Sequence, residues 1–421
     1  MYSTGQYSFV ANGVASEQLA TNEQAISQFT YTVSDGVVSR TQVLSLTITG
    51  TNDTPTITTV TGTDVTGAVI EDAYSTTLTD TGTITFDDLD LTNTHTVSSV
   101  SKASGTLGGN LTFGNVSEDA TTTAGSVPWT YTVANSATQY LAAGQTASEV
   151  FTVTISDGNG GTVTQNVTVT ATGTNDAPVI NAITTTALNE QTNTTALTTS
   201  IPVTFTDVDL TDISHAASIT GVVASGITTG LALSSSQLRD LVTPVSVTKT
   251  SGSSSGSINM GFSAPATALD YLAAGEVLTL TYTVGLDDLD GGITSQTFVV
   301  NITGTNDTPT ITTTGADVTG AVTEDVAVVA ATLTDTGTIT FDDVDLTNTH
   351  TVLVTRASGS LLGGTLTLGN VSEDATTTAG SVPWTYTIPT SVTQYLALNQ
   401  TASEVFTVTI SDGNGGTVTQ N

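Results

Sequence analysis

Apolar and polar residues alternate with a period of two along much of the chain. Threonines separate Trp129, Tyr131 and Val133, and the same alternation runs through Phe151–Ile155 and Phe298–Ile302. This period places one set of side chains on a single face of a strand, and threonine suits the outer face of a pleated sheet. The pattern therefore predicts short β-strands with one buried face.

Turn signals separate these strand-like runs. The glycine-rich phrase Ser156–Gly161 lies between two alternating segments, which predicts a β-hairpin turn. The phrase Tyr140–Gly144, which recurs from Tyr271, is interpreted as a short helical turn whose tyrosine anchors a loop corner. Several short strands in each stretch of roughly 120 residues predict a β-sandwich.

The chain contains internal repeats. The phrase Gly-Thr-Asn-Asp ends at Asp53, Asp176 and Asp307, and a proline follows two residues after each. Leu78–Phe86 returns unchanged as Leu333–Phe341, 255 residues later. We therefore predict an all-β protein of tandem antiparallel β-sandwich domains arranged end to end.

The repeats predict four segments. They are residues 1–53, the C-terminal part of a truncated repeat; 54–176, a β-sandwich repeat; 177–307, a divergent repeat; and 308–421, a repeat that lacks its last strand. Tyr7–Gly36 aligns without gaps with Trp129–Gly158, and Asn421 aligns with Asn166. We therefore expect the chain to be part of a longer protein, with exposed strand edges at both ends.

The amino-acid composition excludes several classes of binding partner. The 421 residues include 5 Lys or Arg against 38 Asp or Glu, a net charge of −33. Such a chain is unsuited to bind nucleic acid or an anionic membrane surface. The absence of cysteine excludes disulfides and thiolate metal sites. No apolar run approaches the ~18 residues that a membrane span needs.

Aspartates recur at three kinds of position in the repeats. They lie in the linker phrase, in an Asp-x-Asp just after a strand, and in the hairpin turn before the last strand. Because an antiparallel sandwich reverses the chain at each strand, these segments are expected to meet at the junction between successive repeats. The predicted metal ligands are Asp53, Asp176 and Asp307 in the linkers, Asp87, Asp88, Asp90, Asp207, Asp209, Asp342, Asp343 and Asp345 at the strand ends, and Asp157, Asp288 and Asp412 in the turns.

Charge repulsion is the reason to predict a cation there. Two carboxylates ~4 Å apart repel by about 4 kcal/mol at an effective dielectric constant of about 20. A flexible site made only of oxygen ligands favours structural Ca²⁺ over Mg²⁺. The alternative is that these acids merely solvate turns, which aspartate favours in any case.

Three phrases carry a family resemblance: Gly173–Val179, Ser156–Gly161 and Gly82–Asp90. With them, essentially the whole chain resembles the VCBS repeat family and, more loosely, bacterial cadherin-like and tandem immunoglobulin-like repeats. The resemblance implies a large RTX-type bacterial surface adhesin, often exported by type I secretion and involved in cell adhesion and biofilm. It also implies that Glu71 and Glu324, near the ends of first strands, are further calcium ligands, with Glu190 roughly equivalent.

The function expected from this resemblance is that of a non-enzymatic stalk or spacer, secreted or attached to the bacterial surface and rigidified by Ca²⁺ at domain junctions. Its partners would be neighbouring repeats, and host or matrix glycans or proteins through other parts of the parent. The alternative is a repeat that itself binds a glycan or protein. Thr248–Gly256 is the place to seek such a site, although its composition is that of a flexible linker.

An enzyme is the third class considered. His95 and His350 follow the Asp-x-Asp motifs and could act as general bases, but we expect hydrogen-bonded strand residues. Glu118 and Glu373 are interpreted as solvated loop residues. The sequence contains no nucleophile elbow, phosphate-binding loop or His-Glu-x-x-His motif, so we predict no enzymatic activity.

Overall fold

The computed structural model describes residues 6–60, 62, 64–191, 195–359 and 362–421. The chain divides into two compact units. The first unit comprises Met1–Asp176 and Asp207–Asp212, and the second comprises Ala177–Thr206 and Ile213–Asn421. The four-segment division made from the repeats stays a prediction.

The first unit contains a β-hairpin and a β-sandwich. Its elements are α1 (Val14–Glu17), β1 (Gln24–Ser34), β2 (Ser39–Thr49), β3 (Thr56–Ile57), β4 (Thr66–Ile70), β5 (Thr77–Asp87), β6 (Thr96–Ser104), β7 (Asn110–Phe113), β8 (Ser117–Glu118), β9 (Ala124–Ala134), a 3-10 turn (Asn135–Ala137), β10 (Thr146–Ser156) and β11 (Thr162–Thr172). Strands β1 and β2 form the hairpin. One sheet of the sandwich has the order β4-β11-β10-β6, and the other has β3-β5-β9-β7 with β8 also on β9.

The second unit contains two further sandwiches. Its elements are β12 (Val179–Ile180), β13 (Thr186–Asn189), β14 (Leu197–Thr206), β15 (Ala216–Gly226), α2 (Ser235–Asp240), β16 (Val242–Lys249), β17 (Ser255–Ala264), a 3-10 turn (Ala266–Ala268), β18 (Val277–Asp287), β19 (Ile293–Thr303), β20 (Thr310–Ile311), a 3-10 turn (Gly315–Val318), β21 (Thr332–Asp342), β22 (Thr351–Arg356), β23 (Thr365–Leu368), β24 (Ala379–Pro389), a 3-10 turn (Thr390–Val392), β25 (Phe406–Ser411) and β26 (Thr417–Gln420). The sheets have the orders β12-β14-β17-β16, β13-β19-β18-β15, β20-β21-β24-β23 and β22-β25-β26.

These sheets confirm the predicted all-β class of tandem β-sandwiches. The pairing is antiparallel except for β4 with β11 and β13 with β19, which run parallel at the edges of their sheets. These two edge strands are exceptions within otherwise antiparallel sheets. Among the described residues, no helix has the length and apolar character that crossing a membrane requires.

The predicted alternation produces the core of each sandwich. Along β9, Trp129, Tyr131 and Val133 are buried between the sheets, while the threonines between them lie on the outer face. The indole of Trp129 packs directly on Gly82 of β5, where an added Cβ would lie 2.4 Å from Cζ2. Only glycine leaves room for the ring at this place.

Two glycine-rich phrases form the turns of β-hairpins. Ser156–Gly161 connects β10 to β11, as predicted. Thr248–Gly256 is not a flexible linker, because it forms the ends of β16 and β17 and the tight turn between them. The Ser253 amide donates to the Thr250 carbonyl across this turn at 3.0 Å.

One charged group is enclosed within the first unit's sandwich. The Glu149 carboxylate is fully buried and accepts hydrogen bonds from the Lys102 ammonium at 2.7 Å, the Tyr131 hydroxyl at 3.0 Å and the amides of Gly108 and Gly109. Burial alone would raise the pKa of Glu149. The hydrogen bonds, chiefly those from Lys102 and Tyr131, together outweigh burial, and the pKa lies below its usual value. The carboxylate is thus held ionised inside the fold.

Replacing Glu149 by alanine should destabilise this sandwich by about 1–3 kcal/mol, because the buried Tyr131 hydroxyl loses its acceptor, as do the more exposed Lys102 ammonium and the amides of Gly108 and Gly109. Denaturant unfolding followed by Trp129 fluorescence, in a Trp384→Phe background, measures the change. Glu17→Ala, which removes an exposed acid from α1, is the control. A loss below about 1 kcal/mol, the scale of an ordinary surface substitution, would contradict this account.

Candidate metal centre

Each Asp-x-Asp lies in the turn that follows a core strand. β5 ends at Asp87, and the buried Asp88 and Asp90 come next. The amide of Asp90 donates to Asp88 Oδ1 at 2.9 Å, so the first aspartate closes a turn around the second. The same 2.9 Å hydrogen bond joins Asp209 to Asp207 and Asp345 to Asp343.

The linker phrase reaches each Asp-x-Asp in the same way. The amide of Asp53 donates to Asp90 Oδ2 at 2.8 Å. The amides of Asp176 and Asp307 donate to Oδ2 of Asp209 and Asp345, at 2.9 Å and 2.8 Å. The linker aspartate is thereby placed beside the strand-end aspartates in all three cases, as the topology argument predicted.

The hairpin-turn aspartates serve first to build their own turns. In Asp157, Asp288 and Asp412, Oδ1 accepts hydrogen bonds from the amides two and four residues further on. The linker asparagines Asn52 and Asn306 donate to Oδ2 of Asp157 and Asp412, both at 2.9 Å. The turn therefore meets the linker through an asparagine side chain.

The carboxylates that interact with one another form three clusters. The first carboxylate cluster is Asp53, Asp88 and Asp90; the second is Glu71, Asp176, Asp207 and Asp209; and the third is Glu190, Asp270, Asp307, Asp343 and Asp345. The first two lie in the first unit and the third lies in the second unit. Together the three clusters include most of the predicted ligands.

The glutamates near the first strands differ in their surroundings. Glu71 is buried and accepts from the Thr174 amide at 2.9 Å, and Glu190 accepts from the amide and hydroxyl of Thr305 at 3.0 Å and 2.6 Å. Glu324 is half-buried and instead lines a cavity of about 610 Å³ in the last sandwich. The position equivalent to Thr174 would be residue 429, so Glu324 has no such partner within the 421 residues.

Asp87 and Asp342 occupy a different place from the other predicted ligands. Each is the last residue of its strand and is half-buried. The strand alternation turns each to the face opposite Phe86 or Phe341, which are in the core. They are therefore the weakest of the predicted strand-end ligands.

Asp270 is a cluster residue that the sequence reasoning missed. It precedes Tyr271 in the second copy of the tyrosine phrase, and its carboxylate interacts with Glu190 and Asp307. The corresponding residue of the first copy is Gln139, whose side-chain amide donates to Glu71. One feature of the sequence could have identified Asp270. It is an acid at a position where the other copies of the tyrosine phrase have glutamine, but the phrase was interpreted only as a turn.

His95 and His350 are hydrogen-bonded, as predicted, but each lies just before a strand and not within it. Each contacts one cluster aspartate and one loop glutamate. His95 Nε2 lies 2.9 Å from Asp88 Oδ2, and Nδ1 lies 2.7 Å from Glu118 Oε2. Glu118 is therefore more than the solvated loop residue that the sequence indicated. The ring is buried against Phe86, with centroids 4.6 Å apart, which leaves it no access to a substrate.

Burial and mutual repulsion change the acidity of the clusters. Burial is the main reason why the pKa of Asp209 is raised to about 7, with further contributions from Asp207, Asp176 and Glu71. In the third cluster, burial and neighbouring carboxylates raise the pKa of Asp345 to about 7 and that of Asp307 to about 6. Protein groups alone therefore compensate these negative charges poorly.

Several cluster oxygens are buried without a hydrogen-bond donor among the described residues. They are Asp90 Oδ1, Asp176 Oδ2, Glu190 Oε1, Asp307 Oδ2 and Asp345 Oδ1. An unsatisfied buried acceptor is costly, and more so when it is charged. A hard divalent cation satisfies such oxygens, and carboxylate, side-chain amide and backbone oxygens are the ligands that Ca²⁺ takes. The residues present therefore fit a calcium ion.

Comparison with known proteins adds only distant similarities. The sequence matches no protein-family model and no curated protein. The chain is similar to protocadherin gamma B7 extracellular cadherin domains 1–4, with 12% identity, a TM-score of 0.39 and coverage of 94% of this chain and 83% of that chain. For protocadherin gamma B2 domains 1–5 the values are 12%, 0.43, 96% and 65%, and for the protocadherin gammaB7 EC3-6 cis-dimer they are 16%, 0.40, 93% and 83%. Similarity at this level carries no argument about function.

In a chelator, the raised pKa values should make the protein less stable as the pH rises. The folded chain binds more protons than the unfolded chain between the ordinary aspartate pKa of 3.8 and the folded value of about 7. Stability therefore falls through this window. Asp345→Asn should flatten the dependence, as measured by thermal unfolding at about pH 5 and about pH 8. A wild-type midpoint that rises across the window relative to Asp345→Asn would contradict the assignment.

Proposed function

We propose that this chain is a non-enzymatic structural spacer of an extracellular adhesive protein, and that Ca²⁺ bound in the three carboxylate clusters stiffens its junctions. The bacterial surface and the adhesin parent are proposed from the resemblance to VCBS repeats. The partners within the chain would be successive repeats. Adhesion to a host or matrix glycan or protein is assigned to other parts of the parent.

One observation carries the proposal. In three places a linker amide is hydrogen-bonded to the second aspartate of an Asp-x-Asp, at 2.8–2.9 Å. The contact brings the linker carboxylate beside two others and leaves buried oxygens that find no donor in the part of the chain that the structure describes. A protein with 38 acids and 5 bases has few cations of its own to place there. A divalent ion would join the linker to the strand end.

The spacer role is supported by the way the repeats vary. The second and fourth segments share long identical phrases and the same buried polar contacts, including the tyrosine hydroxyl that donates to a glutamate, at 3.0 Å for Tyr131 and 2.7 Å for Tyr386. Adding or removing near-identical repeats changes the length of such a protein without changing the structure of each repeat. The one divergent loop that was a candidate for ligand binding, Thr248–Gly256, is a tight hairpin turn.

Calcium should raise the thermal unfolding midpoint. Extracellular sites often bind with Kd of about 10⁻⁴–10⁻³ M, so about 10 mM Ca²⁺ contributes roughly 1.4–2.7 kcal/mol per site, or several degrees. In a Trp384→Phe background, the double variant Asp88→Asn with Asp90→Asn should remove the first carboxylate cluster's share of this gain from the unfolding reported by Trp129, while the second carboxylate cluster keeps its own share. Scanning fluorimetry in calcium and in chelator measures both.

The matched control for this experiment is Asp119→Asn with Asp240→Asn, which changes the charge equally at exposed positions. It should keep the full calcium response. An unchanged midpoint of the wild type between chelator and calcium would refute the calcium sites.

Calcium should also change the solution dimensions of the chain. Without a cation, repelling carboxylates beside short linkers should let the repeats swing, and calcium should hold them in an extended rod. Strands of about 10–12 residues at ~3.3 Å each give roughly 35–40 Å per repeat, so the sequence predicts a rod of roughly 110–130 Å. Small-angle scattering tests this. A compact particle in calcium, or the same profile in calcium and chelator, would rule out the spacer mechanism.

A further inference from the structure

The imidazole of His95 lies between two carboxylates that belong to different parts of the first unit's sandwich. Asp88, on one side, is a member of the first carboxylate cluster, and its Oδ2 lies 2.9 Å from Nε2. Glu118, on the other side, comes from β8, and its Oε2 lies 2.7 Å from Nδ1. Glu118 Oε1 also accepts from the His95 amide at 3.0 Å, so the glutamate fixes both the backbone and the ring.

These contacts hold Asp88 at both oxygens. The Asp90 amide occupies Oδ1 at 2.9 Å, and His95 occupies Oδ2. The ring itself is locked by Phe86, which it meets at 4.6 Å and an angle of 48°. The carboxylate plane of Asp88 is therefore fixed before any cation arrives, while each oxygen keeps a further lone pair for a metal.

The fourth segment repeats the arrangement. His350 lies 2.9 Å from Asp343 Oδ2 and 2.7 Å from Glu373 Oε2, and its amide donates to Glu373 Oε1 at 3.1 Å. Its ring packs on Phe341 at 4.6 Å. Two separate sandwiches thus contain the same series of hydrogen bonds, from a loop glutamate through a histidine to a cluster aspartate.

The divergent sandwich, in residues 177–307, differs at the position of the glutamate. Glu118 lies opposite Gly125 on β9, and Lys249 lies opposite Gly256 on β17. Both glycines pack under the phenylalanine that precedes the Asp-x-Asp, so the two registers correspond. The glutamate–histidine–aspartate arrangement therefore belongs to the near-copies and is not a requirement of the sandwich itself.

We infer that Glu118 and His95 are positioning residues that orient Asp88 for cation binding, and that Glu373 and His350 do the same for Asp343. This inference rests on the proposed function. Groups that hydrogen-bond to a metal ligand typically change metal affinity about 10–100-fold when they are removed. The arrangement also connects the loop that carries β8 to the first carboxylate cluster, so cation binding should reduce the mobility of that loop.

The test is a calcium titration of the full chain by isothermal calorimetry, for the wild type, Glu118→Gln and Glu118→Gln with Glu373→Gln. The single variant should weaken one group of sites by about 10–100-fold, and the double variant should weaken two. Asp119→Asn, an exposed neighbour, is the matched control and should bind like the wild type. Glutamine keeps the shape and an acceptor oxygen, so these variants should fold.

A second readout separates positioning from a purely structural role. Calcium should slow amide hydrogen exchange in residues 115–123 of the wild type, and this protection should be lost in Glu118→Gln. A variant that is less stable in chelator and calcium alike, with unchanged calcium affinity, would overturn the inference while leaving the calcium sites intact. A wild type that binds no calcium would overturn both.

Discussion

The structure depends on how it accommodates buried carboxylates at the ends of its core strands. Asp90, Asp209 and Asp345 are almost completely enclosed, yet each lies beside at least two other acids. Hydrogen bonds from linker amides offset part of the cost, and the raised pKa values show that much of it remains. Such an arrangement is unfavourable for a chain that folds alone and favourable for one that takes up a divalent cation.

The sandwich makes this arrangement through ordinary local rules. A core strand ends where its last phenylalanine is buried, and an aspartate then closes a turn with its own side chain. The linker meets that turn because β3 and β20, which follow the linkers, pair with the C-terminal ends of β5 and β21. The same sequence that fills the core thus sets the position of the charged groups, and a histidine beneath the turn ties one aspartate to the neighbouring loop.

Sequence reasoning predicted the fold class because a period of two and repeated turn phrases leave few alternatives to a β-sandwich. It also predicted that linker and strand-end aspartates meet, since this follows from strand reversal alone. It missed Asp270 and the role of Glu118, whose contacts depend on which residues the fold brings together. The parallel edge strands β4 and β13 were missed for the same reason, because edge pairing over four or five residues leaves little trace in sequence.

A crystal structure grown with excess calcium, with anomalous scattering used to locate the ions, tests the central claim most directly. The account predicts an ion in the first carboxylate cluster, bound by Asp88 and Asp90 with oxygens at about 2.3–2.6 Å, and a corresponding ion beside Asp343 and Asp345. Carboxylate clusters that contain only water under saturating calcium, or ions bound solely at exposed acids elsewhere, would contradict it.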